Sequence, residues 1–194
     1  MFIFPGQGSQ YKGMGKDLIE KSNTVREIYN KASSVLGYDI SELSFHDKNN
    51  EINLTKYTQP VLMTHQIACY EYFKDFHGGE IKPMLLAGHS LGEYTALVCA
   101  GSLTIERAAY LLHERGKSMQ DAVPAGQGAM MAILGLTVSE VEKEINLLPN
   151  KEICEIANDN SIGQVVISGE KKVIENFSEN LKKKKKRERK IKQK

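Results

Sequence analysis

Residues 84–98, MLLAGHSLGEYTALV, contain the pattern that decides the fold. The apolar run 84–87 predicts a buried strand closed by Gly88, and the segment from Gly92 onward has the composition of a helix. The turn between them has the form G-x-S-x-G, which exposes Ser90 where the strand passes into the helix. The helix N-terminus places backbone N–H groups beside this serine, where an oxyanion would form. The pattern predicts a nucleophile, although a glycine-rich turn with an N-cap serine fits the same letters.

The rest of residues 1–126 alternates strand and helix signals. A strand and a layer of helices in this order predict an α/β fold with a parallel sheet, which we describe as a large α/β-hydrolase-like domain that carries the nucleophile. The signals are a strand at 1–4 ended by Pro5–Gly6, a helix from an N-cap at Thr24 to a stop at Gly37, a helix at 58–76 with Pro60 in its first turn, and a helix at 103–123 after a cap region at 102–104.

A smaller second domain is predicted over 127–181. Its signals are a strand at 128–134, a helix at 139–148, strands at 152–158 and 164–169, and a helix at 171–181. The order βαββα is most of a ferredoxin-like α+β unit, which needs one more strand to close. The sequence that follows is KRERKIKQK, in which Ile191 is the only apolar residue. We therefore expect the large domain to be incomplete and the small one to lack its last strand.

The charge of the chain is divided unequally between its body and its C-terminal segment. The 194 residues include 26 Lys and Arg and 24 Asp and Glu, a net charge of +2. Residues 182–194 hold ten of the basic residues and one of the acidic ones, which leaves 16 basic and 23 acidic residues and a net charge of −7 in 1–181. We predict a basic, disordered tail over 182–194 rather than a nucleic-acid-binding domain.

Several function classes are excluded by what the sequence lacks. The cysteines, Cys69, Cys99 and Cys154, are widely spaced and favour reduced thiols over a disulfide framework. No apolar run approaches the ~20 residues of a membrane span, and the N-terminal MFIFPGQ has no basic leader typical of a secretory signal. The sequence has neither a metal-ligand cluster nor a P-loop, and GQGSQ (6–10) does not have the spacing of a dinucleotide fingerprint.

A serine nucleophile needs a general base, and the sequence does not identify one. His89 adjoins Ser90, and adjacent side chains on such a turn point apart. The other histidines fall in predicted helices (His65 and His113) or in polar loops (His46 and His77). In G-x-S-x-G enzymes of this type the base usually follows the serine in the chain, and no histidine lies beyond residue 113.

Five motifs in order carry a resemblance to a known family. They are FPGQGSQ (4–10), TQP (58–60), AGHSLGEYTAL (87–97), RGKSMQDAVP.G.GAM (115–130) and ANDNS.GQVVISG (157–169). Together they resemble the malonyl-CoA:acyl carrier protein transacylases of type II fatty-acid synthesis. Five ordered motifs are far more specific than a single serine turn, and the likeness covers essentially residues 1–181.

The resemblance implies a two-step acyl transfer without a bound cofactor. Ser90 would attack the thioester of malonyl-CoA, form a malonyl-serine ester and pass the malonyl group to the phosphopantetheine thiol of acyl carrier protein. The family's oxyanion groups map onto the backbone N–H of Gln7 and Leu91, and its carboxylate-binding arginine maps onto Arg115. A guanidinium fork binds a carboxylate in a bidentate manner. Without the resemblance, an arginine in this helix is expected on the surface.

The resemblance also implies a setting for the chain. Gln59 and Asn160 follow as further, weaker candidates for the cleft. The implied partners are malonyl-CoA and acyl carrier protein. We expect a cytoplasmic monomer, or a protein of an organelle with bacterial-type fatty-acid synthesis after removal of a leader, that contacts neither membrane nor nucleic acid.

The sequence departs from the family pattern at two places. Ile162 stands where a proline is common. Family members also continue well beyond residue 181 and carry the catalytic histidine just after the last strand of the small domain. We therefore expect a C-terminally truncated product of low activity, for example from a frameshift in the A-rich tract that encodes 182–186. Reading the DNA downstream of codon 194 in all frames tests this expectation.

Two other functions remain open at this stage. An esterase-like serine acyl hydrolase would use Ser90 without the carboxylate selectivity of Arg115, so replacing the arginine discriminates between them. A non-catalytic fragment could instead bind nucleic acid or an acidic membrane through its basic segment. Such binding would be salt-dependent and would vanish on deletion of 182–194. This segment contains no aromatic residue for base stacking.

Overall fold

The computed structural model describes residues 1–79, 81–123, 126–149 and 152–192, with side chains described as far as Lys183. The chain forms two compact units, Met1–Ala122 and Val123–Lys194. The sequence placed this division at 126/127, four residues later. Pro124 and Ala125, which fall between these two boundaries in the sequence, lie outside the described residues.

The first unit alternates strands and helices, which confirms the predicted α/β character. In chain order its elements are β1 (Phe2–Phe4), α1 (Lys16–Lys21), α2 (Asn23–Ser34), α3 (Ile40–Phe45), α4 (Thr55–Phe76), β2 (Leu86–Gly88), α5 (Leu91–Cys99) and α6 (Ile105–Asp121). Sequence patterning missed α1 and α3. Each has six residues, which is less than two turns and too short for a clear 3.6-residue period.

The predicted parallel pairing is present between β1 and β2. Phe2 pairs with Leu86 and Phe4 with Gly88. The second strand begins at Leu86, two residues later than the apolar run predicted. Met84, the first residue of that run, is 98% exposed. A reason is the length of β1, which spans three residues before Pro5 and therefore offers a ladder of only three pairs.

The core of the first unit forms around α4, against which α2, α5 and α6 pack. Val25, Ile28, Tyr29 and Ala32 form the buried apolar face of α2, but the helix begins two residues earlier than expected. Its N-cap is Ser22, whose Oγ accepts a hydrogen bond from the N–H of Val25 at 3.3 Å, and not Thr24. The largest fully buried side chains of this core are Met14, Tyr29, Ile40, Met63, Ile67, Leu91 and Leu112, and burial of such a side chain contributes about 1.5–3 kcal/mol.

Helix α4 begins at Thr55, so Pro60 lies inside the helix rather than in its first turn. Proline has no N–H, and the carbonyl oxygen of Lys56, four residues earlier, therefore loses its helical partner. The Nδ1 atom of His113 lies 3.2 Å from that oxygen and 3.2 Å from the hydroxyl of Tyr38. A proton on Nδ1 satisfies the freed carbonyl, which gives this histidine a structural role between α4 and α6.

The second unit follows the predicted βαββα order. Its elements are β3 (Gly128–Leu134), α7 (Val138–Ile145), β4 (Cys154–Ser161), β5 (Gln164–Glu170) and α8 (Lys171–Lys192). The sheet order is β3-β5-β4, and β5 is antiparallel to both neighbours. Its core includes Ile133, Val141, Ile167, Ile174 and Phe177. A capping box between Thr137 and Glu140 starts α7.

Helix α8 continues to Lys192, so the prediction of a disordered tail is wrong for 182–192. Lysine, arginine and glutamate are strong helix formers, and this stretch contains no glycine or proline to end the helix. Lys183 and Glu179, one turn apart, lie 3.9 Å from each other at Nζ and Oε2. The last two residues of the predicted tail, 193 and 194, lie outside the described residues.

Across the described ranges, no helix combines the length and the apolar character that crossing a bilayer requires.

Candidate active site

Ser90 occupies a strained turn between β2 and α5. Its backbone angles are φ 55° and ψ −113°, a region that residues with a Cβ rarely adopt. The side chain is exposed and makes no capping hydrogen bond to α5. Ser90 is therefore the N-cap residue of α5 by position, but its side chain does not cap the helix. Its hydroxyl is exposed, and its backbone has the geometry expected of a nucleophile turn.

The two glycines of the motif are required by close backbone packing. A Cβ on Gly88 would lie 2.0 Å from the carbonyl carbon and oxygen of Gly92. A Cβ on Gly92 would lie 2.2 Å from the carbonyl oxygen of Phe4. These contacts seat the first turn of α5 directly on the β1–β2 pair, and this seating fixes Ser90 at the end of the sheet.

The first turn of α5 supplies an N–H group next to the nucleophile. The N–H groups of Gly92 and Glu93 donate to the carbonyls of His89 and Ser90, at 3.0 and 3.1 Å. Leu91 is the first residue of α5, where a helix provides no acceptor for the N–H. This N–H and the positive end of the helix dipole lie beside Ser90, as oxyanion stabilisation requires.

Arg115 contacts both Ser90 and Gln59. Its Nη2 donates to the Oγ of Ser90 at 3.0 Å, and its Nη1 donates to the Oε1 of Gln59 at 2.8 Å. Gln59 is 1% exposed, and its Nε2 lies 3.3 Å from the Sδ of Met119. Arg115 is thus half-buried, and its guanidinium is held in one orientation beside Ser90. Its position in the helix alone predicted an exposed side chain.

Close packing of α6 on α4 brings this arginine to Ser90. A Cβ on Gly116 would lie 2.6 Å from the carbonyl oxygen of Thr55, so α6 approaches the start of α4 as only glycine allows. Arg115 is the preceding residue, and Gln59 lies one turn into α4. The sequence gives no signal for this glycine beyond its position in the RGK motif.

The loop after β1 lies against the serine turn. The N–H of His89 donates to the carbonyl oxygen of Phe4 at 3.0 Å, and a Cβ on Gly6 would lie 2.8 Å from the Cδ2 of His89. Gln7, the next residue, sits in a turn with its side chain exposed. Asn160, the remaining candidate, belongs to β4 of the second unit, where its Nδ2 lies 3.4 Å from the Oε1 of Gln164.

The histidines of the first unit make contacts other than with Ser90. His113 lies at the Lys56 carbonyl, as described above. The others contact Glu42 at 3.8 Å (His46), the thiol of Cys69 at 3.5 Å (His65), the rings of Phe73 and Phe76 (His77) and the Gly6 segment (His89). The hydrogen bond that the structure gives to the Ser90 hydroxyl comes from Arg115, and none of these contacts identifies a general base.

His65 lies half-buried in α4 with its Nδ1 atom shielded from solvent, and it makes stability depend on pH. Its Nδ1 has no hydrogen-bond partner among the described residues. Burial lowers the pKa of His65 below its ordinary 6.5, and the carboxylate of Asp17 opposes this more weakly. The unfolded chain then binds more protons as pH falls through 6.5, so stability is full above that pH and is lost below it.

We expect the free energy of unfolding to fall more steeply from pH 7.5 to 5.5 in the wild type than in His65→Asn. Urea titrations monitored by circular dichroism at both pH values measure the two slopes. Between pH 7.5 and 8.5 the two proteins should differ by a constant amount, which is the internal control. Equal slopes below pH 7 would contradict a lowered pKa of this histidine.

No group of three or more potential metal-ligating side chains occurs in the parts of the chain that the structure describes. The site consists instead of a strained serine at a strand–helix turn, a helix N-terminus and a fixed guanidinium. This combination defines the class of α/β proteins that use a serine nucleophile for acyl transfer.

Comparison with known proteins identifies the family. An acyl transferase domain model matches residues 1–193, and the chain belongs to this acyl transferase family. It is 45% identical over 174 residues, 90% of its length, to the malonyl CoA-acyl carrier protein transacylase of Escherichia coli O157:H7. The chain spans 56% of that relative's length.

Solved structures agree with the fold. The malonyl CoA-acyl carrier protein transacylase of Coxiella burnetii matches with a TM-score of 0.86 at 42% identity, covering 94% of this chain and 57% of that one. A malonyl-transacylase in complex with its type II polyketide synthase acyl-carrier protein matches with a TM-score of 0.81 at 42% identity, covering 91% and 57%. The fold of the chain is therefore that of a portion of these proteins.

Proposed function

We propose that Ser90 takes the malonyl group from malonyl-CoA as an ester and passes it to the phosphopantetheine thiol of an acyl carrier protein. In the first step the Oγ–carbonyl bond forms, the C–S bond breaks, and coenzyme A leaves as a thiol after taking up the serine proton. In the second step the carrier thiol attacks the ester, and the serine hydroxyl is regenerated. Two observations support the proposal. The site holds a serine with a strained backbone, and a relative of this chain is named malonyl CoA-acyl carrier protein transacylase.

The contact between Arg115 and Ser90 carries the choice of a malonyl group. A malonyl ester on Oγ places its free carboxylate two carbon atoms beyond the ester oxygen, within reach of a guanidinium that contacts Oγ at 3.0 Å. Gln59 holds the other side of the fork. A neutral acyl group makes no use of this cation and leaves it without its charged partner.

The tetrahedral intermediate of each step carries a negative oxygen. In the proposal, the N–H groups of Leu91 and Gln7 donate to this oxygen from the N-terminus of α5 and from the loop after β1. The loss of one such donor costs ~10²–10³-fold in rate in serine enzymes. Since Ser90 has Arg115 and not a histidine as its hydrogen-bond partner, we expect acylation to lack general-base assistance, which contributes ~10²–10⁴-fold.

Incubation with malonyl-CoA tests the proposal. The purified chain should gain the mass of one malonyl group, and peptide mapping should place it on Ser90. We expect the rate to be about 10²–10⁴-fold below that of the Escherichia coli relative, for want of the base. Acetyl-CoA serves as the uncharged donor and should acylate more slowly. A chain that is acylated at another residue, or by acetyl-CoA in preference, would contradict the proposed function.

Arg115→Ala should selectively impair malonylation. We expect a ~100-fold lower rate with malonyl-CoA and little change with acetyl-CoA, since a charge-assisted pair is lost only with the first donor. Arg115→Lys is the matched control, which keeps the charge but not the fork, and should restore part of the rate. Equal losses with both donors would instead favour the esterase-like alternative, in which the arginine has no role in selectivity.

Finer features of the fold and setting belong to the same proposal. We infer that the second unit is ferredoxin-like, because its strands have the order β3-β5-β4 with β5 antiparallel to both. We infer that the first unit is hydrolase-like, because a parallel strand leads through the serine turn into a helix. A cytoplasmic location fits the cysteines, which are all free.

A further inference from the structure

A buried glutamine links the two segments that flank Ser90. Gln66 lies on α4 and is 7% exposed. Its Nε2 donates to the carbonyl oxygen of Pro5 at 2.8 Å, and its Oε1 accepts from the hydroxyl of Thr95 at 2.6 Å. Thr95 is fully buried on α5. One amide thus uses both its donor and its acceptor, each toward a different element.

Each linked segment carries one half of the proposed oxyanion site. Pro5 stands two residues before Gln7 in the loop after β1. Thr95 stands one turn after Leu91 on α5. Two contacts hold the serine turn against the sheet. His89 and Gly92 both contact Phe4, which is the last residue of β1. Gln66 adds a contact from α4, where the loop leaves the strand and the strand's own hydrogen bonds end.

We propose that Gln66 is a positioning residue that fixes the distance between the N–H groups of Gln7 and Leu91. This inference rests on the proposed use of those two groups for the oxyanion. The geometry calls for a side chain that both donates and accepts, as an amide does, because the Pro5 carbonyl accepts a hydrogen bond and the Thr95 hydroxyl donates one. A displacement of about 1 Å in a reacting group can reduce a rate ~10²-fold. If the loop is released from Gln66, the N–H of Gln7 therefore moves away from its position near Ser90, while the unit remains folded.

Gln66→Met tests the proposal by removing both hydrogen bonds while keeping the length of the side chain. The probe is a fluorophosphonate, in which Ser90 Oγ bonds to phosphorus, the P–F bond breaks, and fluoride and the hydroxyl proton pass to water. This reaction depends on the N–H groups that are proposed to bind the oxyanion. It does not depend on the preference for a carboxylate that Arg115 is proposed to provide. We expect labelling of Ser90 to slow by about 10- to 100-fold per folded molecule.

Thr64→Val is the matched control on the same helix. Thr64 is also fully buried, and its hydroxyl donates to the Pro60 carbonyl at 2.7 Å, away from the loop. This variant should label at the wild-type rate per folded molecule, whatever its stability. Equal labelling of Gln66→Met and the wild type, or equal loss in Thr64→Val, would overturn the positioning role.

Gln66→Glu gives a readout that a purely structural role would not move. A protonated carboxyl can donate to Pro5 and accept from Thr95 as the amide does, whereas a carboxylate cannot donate. Burial favours the protonated form. The ratio of variant to wild-type labelling should therefore approach one at low pH and fall as pH rises. Tyr11, His65, Cys69 and Tyr70 line the groove beside Gln66, and because the wild type contains them too, the ratio cancels their titration.

Amide hydrogen exchange supplies a measurement that does not depend on reactivity. In Gln66→Met the amide of Gly8, which donates to the Oε1 of Gln10 at 2.9 Å, should exchange faster, while those of α2 and α6 stay unchanged. Unchanged exchange in the loop would overturn the inference even if the wild type labelled too slowly to compare. If malonyl-CoA fails to acylate Ser90 but the fluorophosphonate results hold, the proposed function is wrong and the role of Gln66 stands.

Discussion

Ser90→Gly is expected to abolish acylation and, at the same time, to stabilise the first unit relative to Ser90→Ala. The serine backbone has φ 55° and ψ −113°, and holding a residue with a Cβ in such a sparsely populated region costs about 1–3 kcal/mol. Glycine adopts it without this cost. The proposed nucleophile is therefore also the place where the turn stores strain.

The comparison with Ser90→Ala isolates the contribution of backbone strain to the free energy of unfolding. Both variants lack the hydroxyl, so both lose the proposed nucleophile and the hydrogen bond from Arg115. Only the alanine variant keeps the Cβ. We expect the glycine variant to be more stable than the alanine variant by about 1–3 kcal/mol, measured by urea unfolding, with no malonylation of either protein. Equal stabilities of the two variants would show that the turn carries no strain.

Gly92→Ala is expected to destabilise the first unit severely. The added Cβ would lie 2.2 Å from the carbonyl oxygen and 2.8 Å from the carbonyl carbon of Phe4. Both are backbone atoms of β1 and cannot rotate away, so α5 must separate from the sheet. Overpacking typically costs about 1–3 kcal/mol and occasionally more, and because the clash is with backbone we expect the upper end, a large fraction of the about 5–15 kcal/mol that stabilises a typical domain. Urea unfolding gives the change in free energy directly.

Gly101→Ala, just beyond the C-terminus of α5, is the control. Gly101 has φ 73°, and nothing lies within 4 Å of the position its Cβ would take. The substitution costs only the left-handed backbone conformation, about 1–2 kcal/mol. A loss in Gly92→Ala no greater than that in Gly101→Ala would contradict a close approach of α5 to β1.

Local sequence patterns predicted most of the elements. The apolar face of α2, the strands β3 and β5 and the strand–serine–helix order are confirmed, since periodicity and glycine placement act within a few residues. The short helices α1 and α3 were missed because each has fewer than two helical turns, too few to show a 3.6-residue period. The end of α8 was misplaced because charge was taken for disorder, although Lys, Arg and Glu favour a helix.

The sequence by itself determined the serine turn, because the two glycines and the strained serine act on one another within five residues. Tertiary structure alone decided what surrounds that turn. Arg115 contacts Ser90 across 25 residues, and Gln66 contacts Pro5 across 61. From its helix position alone Arg115 was expected on the surface, and no sequence pattern singled out Gln66. Their contacts depend on how closely α4, α5 and α6 pack, which is set by the summed fit of many side chains and by glycines that admit a neighbouring backbone.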